Sequence, residues 1–209
     1  MRGTRAGASL NFSPAVASNG HTFFANTTGN LEDKQILEQF RAEATRTAAF
    51  NTLVRKYQQR VYWHIRKMVI DHDDADDLTQ EVFIKVWHHL ADFRGDSQLY
   101  TWLYRIASNE CLGFLNRKKR NVFTSIDETV AEELTAKLDS SDLVSGDEIQ
   151  MRLQKALLRL PDKQRLVFNM RYYDELSYHE IAEITGTSEG ALKASYHIAA
   201  KKIEEYLTA

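Results

Sequence analysis

Proline occurs only twice in the 209-residue chain, as Pro14 and Pro161, so the long stretch between them holds no proline that would interrupt a helix. From Leu31 onwards, apolar residues recur at three- and four-residue spacing, which is the repeat of an amphipathic α-helix. One such run consists of Phe50, Leu53, Val54, Tyr57, Val61 and Ile65. The sequence therefore predicts an all-α fold.

Acidic residues are concentrated in one stretch that divides the helical pattern. Residues 121–147 have weak apolar periodicity, carry several carboxylates opposed only by Lys137, and contain Ser-Ser and Ser-Gly breakers. We predict a flexible acidic linker there, between one helical domain at 31–120 and a smaller one at 148–209. Residues 1–30 are rich in Gly, Ser, Asn, Thr and Ala, which predicts a disordered extension.

The last quarter of the chain has the pattern of a helix-turn-helix. Ser177 and Glu180, three residues apart, form a capping box, in which each side chain bonds a backbone N–H at the helix start. Gly186 follows this short helix at a position that favours positive φ, and Ser188 begins the next helix. The combination favours a DNA-binding unit. The alternative is an ordinary pair of packed helices.

Composition excludes several classes of protein. A single cysteine, Cys111, cannot form an intrachain disulfide, and its place in a helical run predicts a small buried residue. No stretch approaches the length of apolar sequence that a transmembrane helix needs. We expect a cytoplasmic protein. The net charge of −2 hides a contrast, because the basic run at 117–120 precedes the acidic stretch.

An acidic cluster at residues 71–77 is the one candidate metal site. Its carboxylates crowd a predicted helix start, where the helix dipole stabilises negative charge, so we favour a cap or a protein-binding surface. The sequence contains no Gly-rich phosphate loop, no convincing Ser/His/Asp set and no Cys/His cluster. We therefore predict no catalytic residues, no metal, no cofactor and no enzymatic activity. A metal-dependent helical hydrolase remains the alternative for this cluster.

Aromatic and basic residues alternate in the second part of the larger domain. The aromatic residues are Tyr100, Trp102, Tyr104 and Phe114, and Arg94, Arg105 and the run 117–120 lie nearby. Such a mixture suits single-stranded nucleic acid, because bases stack on rings while phosphates meet the charges. In the alternative reading, Trp102 belongs to the core and the other rings are partly exposed packing residues.

Several motifs in fixed order carry a resemblance to a known family. Residues 74–83 (DADDLTQEVF) resemble the polymerase-binding helix of bacterial sigma factors, and 93–97 with 101–109 resemble their promoter-melting segment. Leu160-Pro161, Gln164-Arg165 and 177–182 (SYHEIA) are similar to the start of the domain that reads the upstream promoter element. The size and the two helical domains resemble the extracytoplasmic-function group. The resemblance covers about residues 45–205.

The resemblance implies that the protein binds core RNA polymerase, recognises the −35 and −10 promoter elements and promotes DNA melting. The implied partners are the β′ clamp helices and β subunit of the polymerase, promoter DNA and, as in many members, an anti-sigma factor. The implied contacts with the clamp helices are Asp77, Gln80, Glu81 and Phe83. The loop 93–97 and Asn109 would hold a base flipped from the −10 element, which offsets the free energy of opening the duplex.

The same resemblance assigns further DNA contacts. Those at the −10 element are Phe93, Arg94, Gly95, Asp96, Ser97, Trp102, Tyr104, Asn109 and, through backbone phosphates, Arg117, Lys118, Lys119 and Arg120. Those at the −35 element are Tyr178, Ser188, Glu189, Gly190, Lys193, Ala194, Ser195, His197 and Lys201. Leu192, Tyr196, Ala199 and Ile203 are expected to face inward.

The recognition helix departs from the family pattern. Many members carry arginines around the positions of Ser195, Ile198 and Ala200, and this chain has none. Because arginine bound to guanine is the commonest specific base contact, we predict a −35 element read less through guanine and more through backbone and shape.

Two further expectations concern the linker and a rival function. We hypothesise that linker carboxylates at Asp139, Asp142, Asp147 and Glu148 mimic nucleic acid in the RNA exit channel. A conventional dimeric helix-turn-helix regulator is the rival, and it predicts a ligand pocket or a dimer helix in residues 31–120 and a palindromic site.

Overall fold

The computed structural model describes residues 27–121, 126–139 and 148–208, and these residues form helices and connecting turns without a strand. The helices are α1 (Thr27–Arg41), α2 (Arg46–Val69), α3 (His72–His89), a 3-10 turn (Leu90–Asp92), α4 (Leu99–Asn121), α5 (Ile126–Asp139), α6 (Glu148–Leu158), α7 (Asp162–Tyr172), α8 (Tyr178–Thr185) and α9 (Glu189–Thr208). The all-α prediction is confirmed. Most of the predicted N-terminal extension lies outside the described residues, and its last residues begin α1.

Helices α1 to α4 form the N-terminal half, with α2 packed against the other three. The periodic residues of α2 face inward, and Leu53, Val61 and Ile65 are completely buried. A polar contact fixes α1 on α2, because the Tyr57 hydroxyl donates to the Asp33 carboxylate at 2.8 and 2.9 Å. Helix α2 is therefore the central element of this half.

The acidic cluster at 71–77 begins α3 as a helix cap. The Asp71 carboxylate accepts a hydrogen bond from the Asp74 backbone N–H at 3.0 Å, as expected for an N-cap residue. This bond, together with a hydrogen bond from Lys137, holds the pKa of Asp71 below its ordinary value. The prediction of a helix cap is confirmed.

The segment predicted to be a flexible linker contains a helix, α5. Leu134 and Leu138, one turn apart, are buried at 2% and 0% exposure, and Lys137 lies 2.9 Å from the Asp71 carboxylate. These two leucines anchor one face of α5, and most of its other positions are polar. Because only two apolar residues form this stripe, the apolar periodicity of the sequence is weak and did not predict the helix. Asp139 pairs with Lys155 at 2.8 Å, whereas Asp142 and Asp147 lie outside the described residues.

Helices α6 to α9 form the C-terminal half, in which α8, a turn and α9 make the helix-turn-helix. The capping box of α8 is present in both directions, with Glu180 bonded to the Ser177 backbone N–H at 2.7 Å and Ser177 to that of Glu180 at 3.2 Å. Gly186 ends α8 with φ of 68°, and Ser188 precedes the first residue of α9. These three predictions are confirmed.

The two halves pack directly against each other in this structure. The larger apolar cluster contains residues of both, among them Leu103 of α4 and Leu166 and Ile181 of α7 and α8. A second cluster, which includes the fully buried Phe168, lies within the C-terminal half. The C-terminal half therefore has an apolar cluster of its own and also contributes residues to the cluster that contains the core of the N-terminal half.

Candidate polymerase and nucleic-acid interfaces

Helix α3 presents a polar outer face next to its buried stripe. Asp77, Gln80 and Glu81 are exposed on this outer face. Phe83, predicted with them as a polymerase contact, is only 8% exposed and belongs to the core. The large apolar side chain on the outer face is Ile84, which is 58% exposed. Phe83 follows Val82 within the buried stripe, so its ring widens the core and does not reach the surface.

The loop between α3 and α4 combines one buried ring with an exposed tip. Phe93 is 8% exposed, and its ring lies 5.4 Å from that of Trp102, which is half-buried. Arg94, Gly95 and Asp96 at the tip are exposed, and Ser97 is half-buried. Gly95 has φ of 81°, a conformation that side chains rarely adopt. The aromatic pair therefore fixes the base of the loop under an exposed polar tip.

The aromatic residues of α4 differ widely in accessibility. Tyr104 is 4% exposed, its ring lies 4.6 Å from that of His64, and burial raises its pKa well above the ordinary value. Tyr100 is also buried, at 7%, whereas Asn109 is exposed. The alternative reading had Trp102 in the core and the other rings partly exposed. In the structure Trp102 and Phe114 are partly buried and pack against the core, in agreement with this reading, whereas Tyr100 and Tyr104 are buried and not partly exposed.

The basic run at the end of α4 is only partly available for phosphates. Arg117 and Arg120 are exposed, but Lys118 lies 2.9 Å from the Glu133 carboxylate and 3.7 Å from that of Asp74. Lys119 pairs at 3.0 Å with Asp162 of the C-terminal half. The two arginines are thus the more accessible cations of this run.

Helix α9 has a buried side and an exposed side, as its sequence pattern predicted. Leu192, Ala199 and Ile203 are buried, and Tyr196 is half-buried. The exposed candidates for the −35 element are Ser188, Gly190, Lys193, Ala194, His197 and Lys201. The partly covered candidates are Tyr178, Glu189 and Ser195. The candidates thus form one face of the helix and its N-terminal edge.

Lys193 is held by its neighbours at the edge of this face. Its ammonium lies 3.5 Å from the Glu189 carboxylate and 5.6 Å from the centre of the Tyr178 ring. Arg171 approaches the same ring at 5.2 Å. The tyrosine ring is therefore flanked by two cations, which favours contact with a phosphate backbone nearby.

A buried polar contact joins the two halves and was not predicted from the sequence. The Asp174 carboxylate bonds Lys67 at 2.8 Å and His64 at 3.0 Å, and its side chain is 8% exposed. Burial opposes its ionisation, but the charge of Lys67 and the bond from His64 hold the pKa of Asp174 below its ordinary value. Asp174 lies 110 residues from His64, so no local pattern could have revealed the contact.

Further bonds connect α4 with α8 and α2 with α7. The Tyr100 hydroxyl donates to Glu180, the acidic member of the capping box. The Arg105 Nε donates to the Glu183 carbonyl at 3.1 Å, and Arg165 donates to the Met68 carbonyl at 3.0 Å. The helix-turn-helix is thus bonded to the helix that carries the predicted melting residues.

Two classes of site receive no support from the described part of the chain. Within it, no three His, Cys, Asp or Glu residues are grouped so that they could hold a metal ion. None of its helices is long and apolar enough to cross a membrane.

Comparison with protein-family models identifies two matching regions. Residues 53–121 match "Sigma-70 region 2", and residues 150–203 match "Sigma-70, region 4". The first region contains α3 and its loop to α4, and the second contains the helix-turn-helix.

Curated relatives are similar over nearly their whole length. The chain is 32% identical over 183 residues to the RNA polymerase sigma-H factor of Pseudomonas aeruginosa, which covers 84% of this chain and 94% of that protein. It is 33% identical over 181 residues to the ECF RNA polymerase sigma-E factor of Escherichia coli K12, covering 83% and 93% respectively.

Solved structures share the fold at low sequence identity. CnrH, solved with the cytosolic domain of CnrY, has a TM-score of 0.59 and 22% identity, covering 85% of this chain and 97% of its own. The sigma factor RpoE of Bartonella quintana, solved with the anti-sigma factor NepR, has a TM-score of 0.58 and 22% identity, covering 77% and 97%.

Proposed function

Because this chain belongs to the extracytoplasmic-function group of the sigma-70 family, we infer that it directs core RNA polymerase to promoters, recognises their −35 and −10 elements and promotes DNA melting. The observation that carries this conclusion is the presence of both matching regions on one chain. A conventional dimeric regulator has no need of the polymerase-binding helix that region 2 supplies.

Transcription in vitro with purified protein and core polymerase on a pool of genomic promoter fragments tests this function. Defined transcripts that require both components are the expected result. Absence of such transcripts, together with tight sequence-specific DNA binding by the protein alone, would contradict the proposal and favour the dimeric regulator.

For polymerase binding we propose the outer face of α3. Asp77, Gln80 and Glu81 offer hydrogen-bonding and charged groups there, and Ile84 supplies apolar area among them. Such a mixture of a small apolar centre with a polar surround is common in protein interfaces. Phe83 acts indirectly, by fixing the helix from below, because its ring is buried.

For the −10 element we propose that the exposed loop tip, residues 94–96, and Asn109 contact the opened strand. Trp102 is half-accessible at the base of the loop, where it can stack on a base, and Phe93 supports it from within. Tyr104 contributes packing only. Arg117 and Arg120 provide the accessible positive charge for nearby phosphates.

For the −35 element we propose the exposed face of α9. Lys193 and Lys201 meet phosphates, while Gly190, Ala194 and His197 lie close to the bases in the major groove. The partly covered Tyr178, Glu189 and Ser195 form the edge of this face, and Glu189 positions Lys193 through their ion pair. The start of α9, including Ser188, approaches the phosphate backbone of the DNA.

Promoter recognition requires the two halves to move apart. Elements centred at −35 and −10 are about 25 base pairs apart, which is roughly 85 Å of straight duplex. In this structure α8 is hydrogen-bonded to α4, so the two reading surfaces are much closer than that. We infer that polymerase and promoter stabilise an open arrangement in which the Asp174, Tyr100 and Arg105 contacts are broken.

The remaining proposals concern organisation and partners. We propose that residues 31–120 act as the region 2-like domain, 121–147 as the linker and 148–209 as the region 4-like domain. As an initiation factor the protein performs no catalysis itself and works with polymerase in the cytoplasm. The structural neighbours were solved with CnrY and with the anti-sigma factor NepR, which supports an anti-sigma partner for this chain.

A further inference from the structure

One large apolar side chain protrudes from the exposed face of the recognition helix. Ile198 of α9 is 45% exposed, whereas Leu192, Ala199 and Ile203 of the same helix are buried. Ile198 is a member of neither apolar cluster of the described residues. An apolar residue without a packing role on a DNA-facing helix points to a contact with the DNA.

The surroundings of Ile198 leave room for close approach to a base. Ala194 lies one turn before it on the same side, and Gly190 lies one turn further. A Cβ built at Gly190 meets no atom within 4 Å, so packing does not require a glycine there. The small residues therefore make a low surface from which the isoleucine projects.

Positive charges border this low surface on one side and at its C-terminal end, since Lys193 and Lys201 lie three residues after Gly190 and Ile198, and Lys202 lies one turn after Ile198. Lys193 and Lys201 have side chains 59% and 70% exposed, and Lys202 is exposed next to them. A row of small apolar groups bordered by cations is complementary to a DNA groove, which is lined by base edges and bordered by phosphates. Duplex DNA is thus the occupant that the charges favour.

We propose that Ile198 contacts the C5-methyl group of a thymine in the major groove of the −35 element and thereby determines specificity at that base pair. The proposal rests on the proposed function. An isoleucine has no hydrogen-bond donor, so it leaves the N7 and O6 acceptors of a guanine without a partner, whereas the thymine methyl group offers a matching apolar contact. Ile198 accordingly selects thymine at a position where an arginine would select guanine.

The experiment uses holoenzyme made from core polymerase and the full chain, on a promoter that this holoenzyme has selected from a fragment pool. Each thymine of the −35 element is replaced in turn by deoxyuridine, which removes only the methyl group. We expect one replacement to weaken promoter binding about fourfold, the effect of one methyl-sized apolar contact, and the others to have little effect.

Three variants assign that methyl effect to a residue. Ile198→Ala is expected to abolish the difference between thymine and deoxyuridine at the sensitive position, and Ile198→Val to retain most of it. The matched control is Ile149→Ala, because Ile149 is 72% exposed and belongs to α6, outside the helix-turn-helix. This control is expected to retain the full difference.

Two results would overturn the assignment while leaving the proposed function intact. They are a wild-type holoenzyme that tolerates deoxyuridine at every thymine, and an Ile198→Ala holoenzyme that keeps the wild-type difference. If the holoenzyme selects no promoter at all, the proposed function fails, and the assignment of Ile198 fails with it.

Discussion

Replacement of Asp174 by asparagine is expected to open the contact between the two halves. The change preserves the shape of the side chain but removes its charge, and one of its two oxygens becomes an NH₂ group. In the wild type, Lys67 and His64 bond separate oxygens of the Asp174 carboxylate at 2.8 and 3.0 Å. In the variant at least one of these two residues loses its acceptor. Both contacts join α2 to the C-terminal half.

The magnitude follows from the burial of this pair. Removing one partner of a buried ion pair costs about 3–5 kcal/mol, because the remaining charge is left without compensation. The Lys67 side chain is 18% exposed and keeps some hydration, which places the expected loss near the lower end, at about 3 kcal/mol. Such a loss lowers the ratio of closed to open molecules about a hundredfold.

A distance between spin labels on the two halves measures this ratio. Cysteines introduced at the exposed Gln58 of α2 and Lys163 of α7 can carry the labels. The native Cys111 is fully buried, and burial raises its pKa to about 12, so it reacts little at neutral pH. Double electron–electron resonance then reports one short distance for the wild type and a broad, longer distribution for Asp174→Asn.

The neighbouring Glu175→Gln removes the same charge from an exposed position and serves as the control. It is expected to give the wild-type distance. If Asp174→Asn and Glu175→Gln give the same distribution and the same urea midpoint, the buried contact does not hold the halves together and the reasoning is refuted.

Other perturbations test separate parts of the structure. Lys193→Ala should weaken −35 binding and reduce its salt dependence by about one phosphate contact, as fluorescence anisotropy at several salt concentrations can show; an unchanged slope would remove Lys193 from the interface. Ser177→Ala should lower the free energy of unfolding by about 1 kcal/mol in urea titrations, because it removes half of the α8 capping box. Thr47→Ala, at an exposed position of α2, is the control and should cause no such loss. Ile84→Glu should weaken core-polymerase binding in a pull-down, and it should leave the thermal midpoint unchanged because the Ile84 side chain is 58% exposed. Phe83→Ala should lower the thermal midpoint, because the Phe83 ring is buried in the core. The pKa values of Asp174, Asp71 and Glu180 are lowered in the folded state, so the stabilisation that these carboxylates provide is present above the ordinary carboxyl range and is lost as the pH falls through the folded-state values. Thermal unfolding followed by circular dichroism should therefore show destabilisation below about pH 4. A thermal midpoint that stays unchanged down to about pH 2.5 would contradict this expectation.

The features that the sequence predicted well are those determined within a few residues. Three such features are the capping box of Ser177 and Glu180, the left-handed conformation of Gly186 and the N-cap Asp71. Each depends on residues three or four positions apart, so the sequence pattern predicts it without knowledge of the tertiary structure. The buried and exposed sides of α9 followed from one helical repeat for the same reason.

The features that the sequence did not predict depend on distant or marginal packing. Phe83 and Ile84 are adjacent apolar residues, and only the position of the neighbouring helices decides which of them is buried. Helix α5 rests on Leu134 and Leu138, too few residues to distinguish it from a linker. The partners of Asp174 lie more than a hundred positions away, where periodicity carries no information.

Glu180 belongs to two hydrogen-bonding arrangements that respond differently when the halves part. Its bonds to Ser177 lie within one helical turn, whereas its bond from Tyr100 crosses to α4. Separation removes only the bond from Tyr100, so the capping box at the start of α8 stays intact, and so does the apolar cluster that packs α9 on α6 and α7. Helix α8 also keeps its contacts with α7 and α9 when its contact with α4 is lost. We therefore expect the transition from closed to open to be a hinge movement between the two halves and not an unfolding of α8.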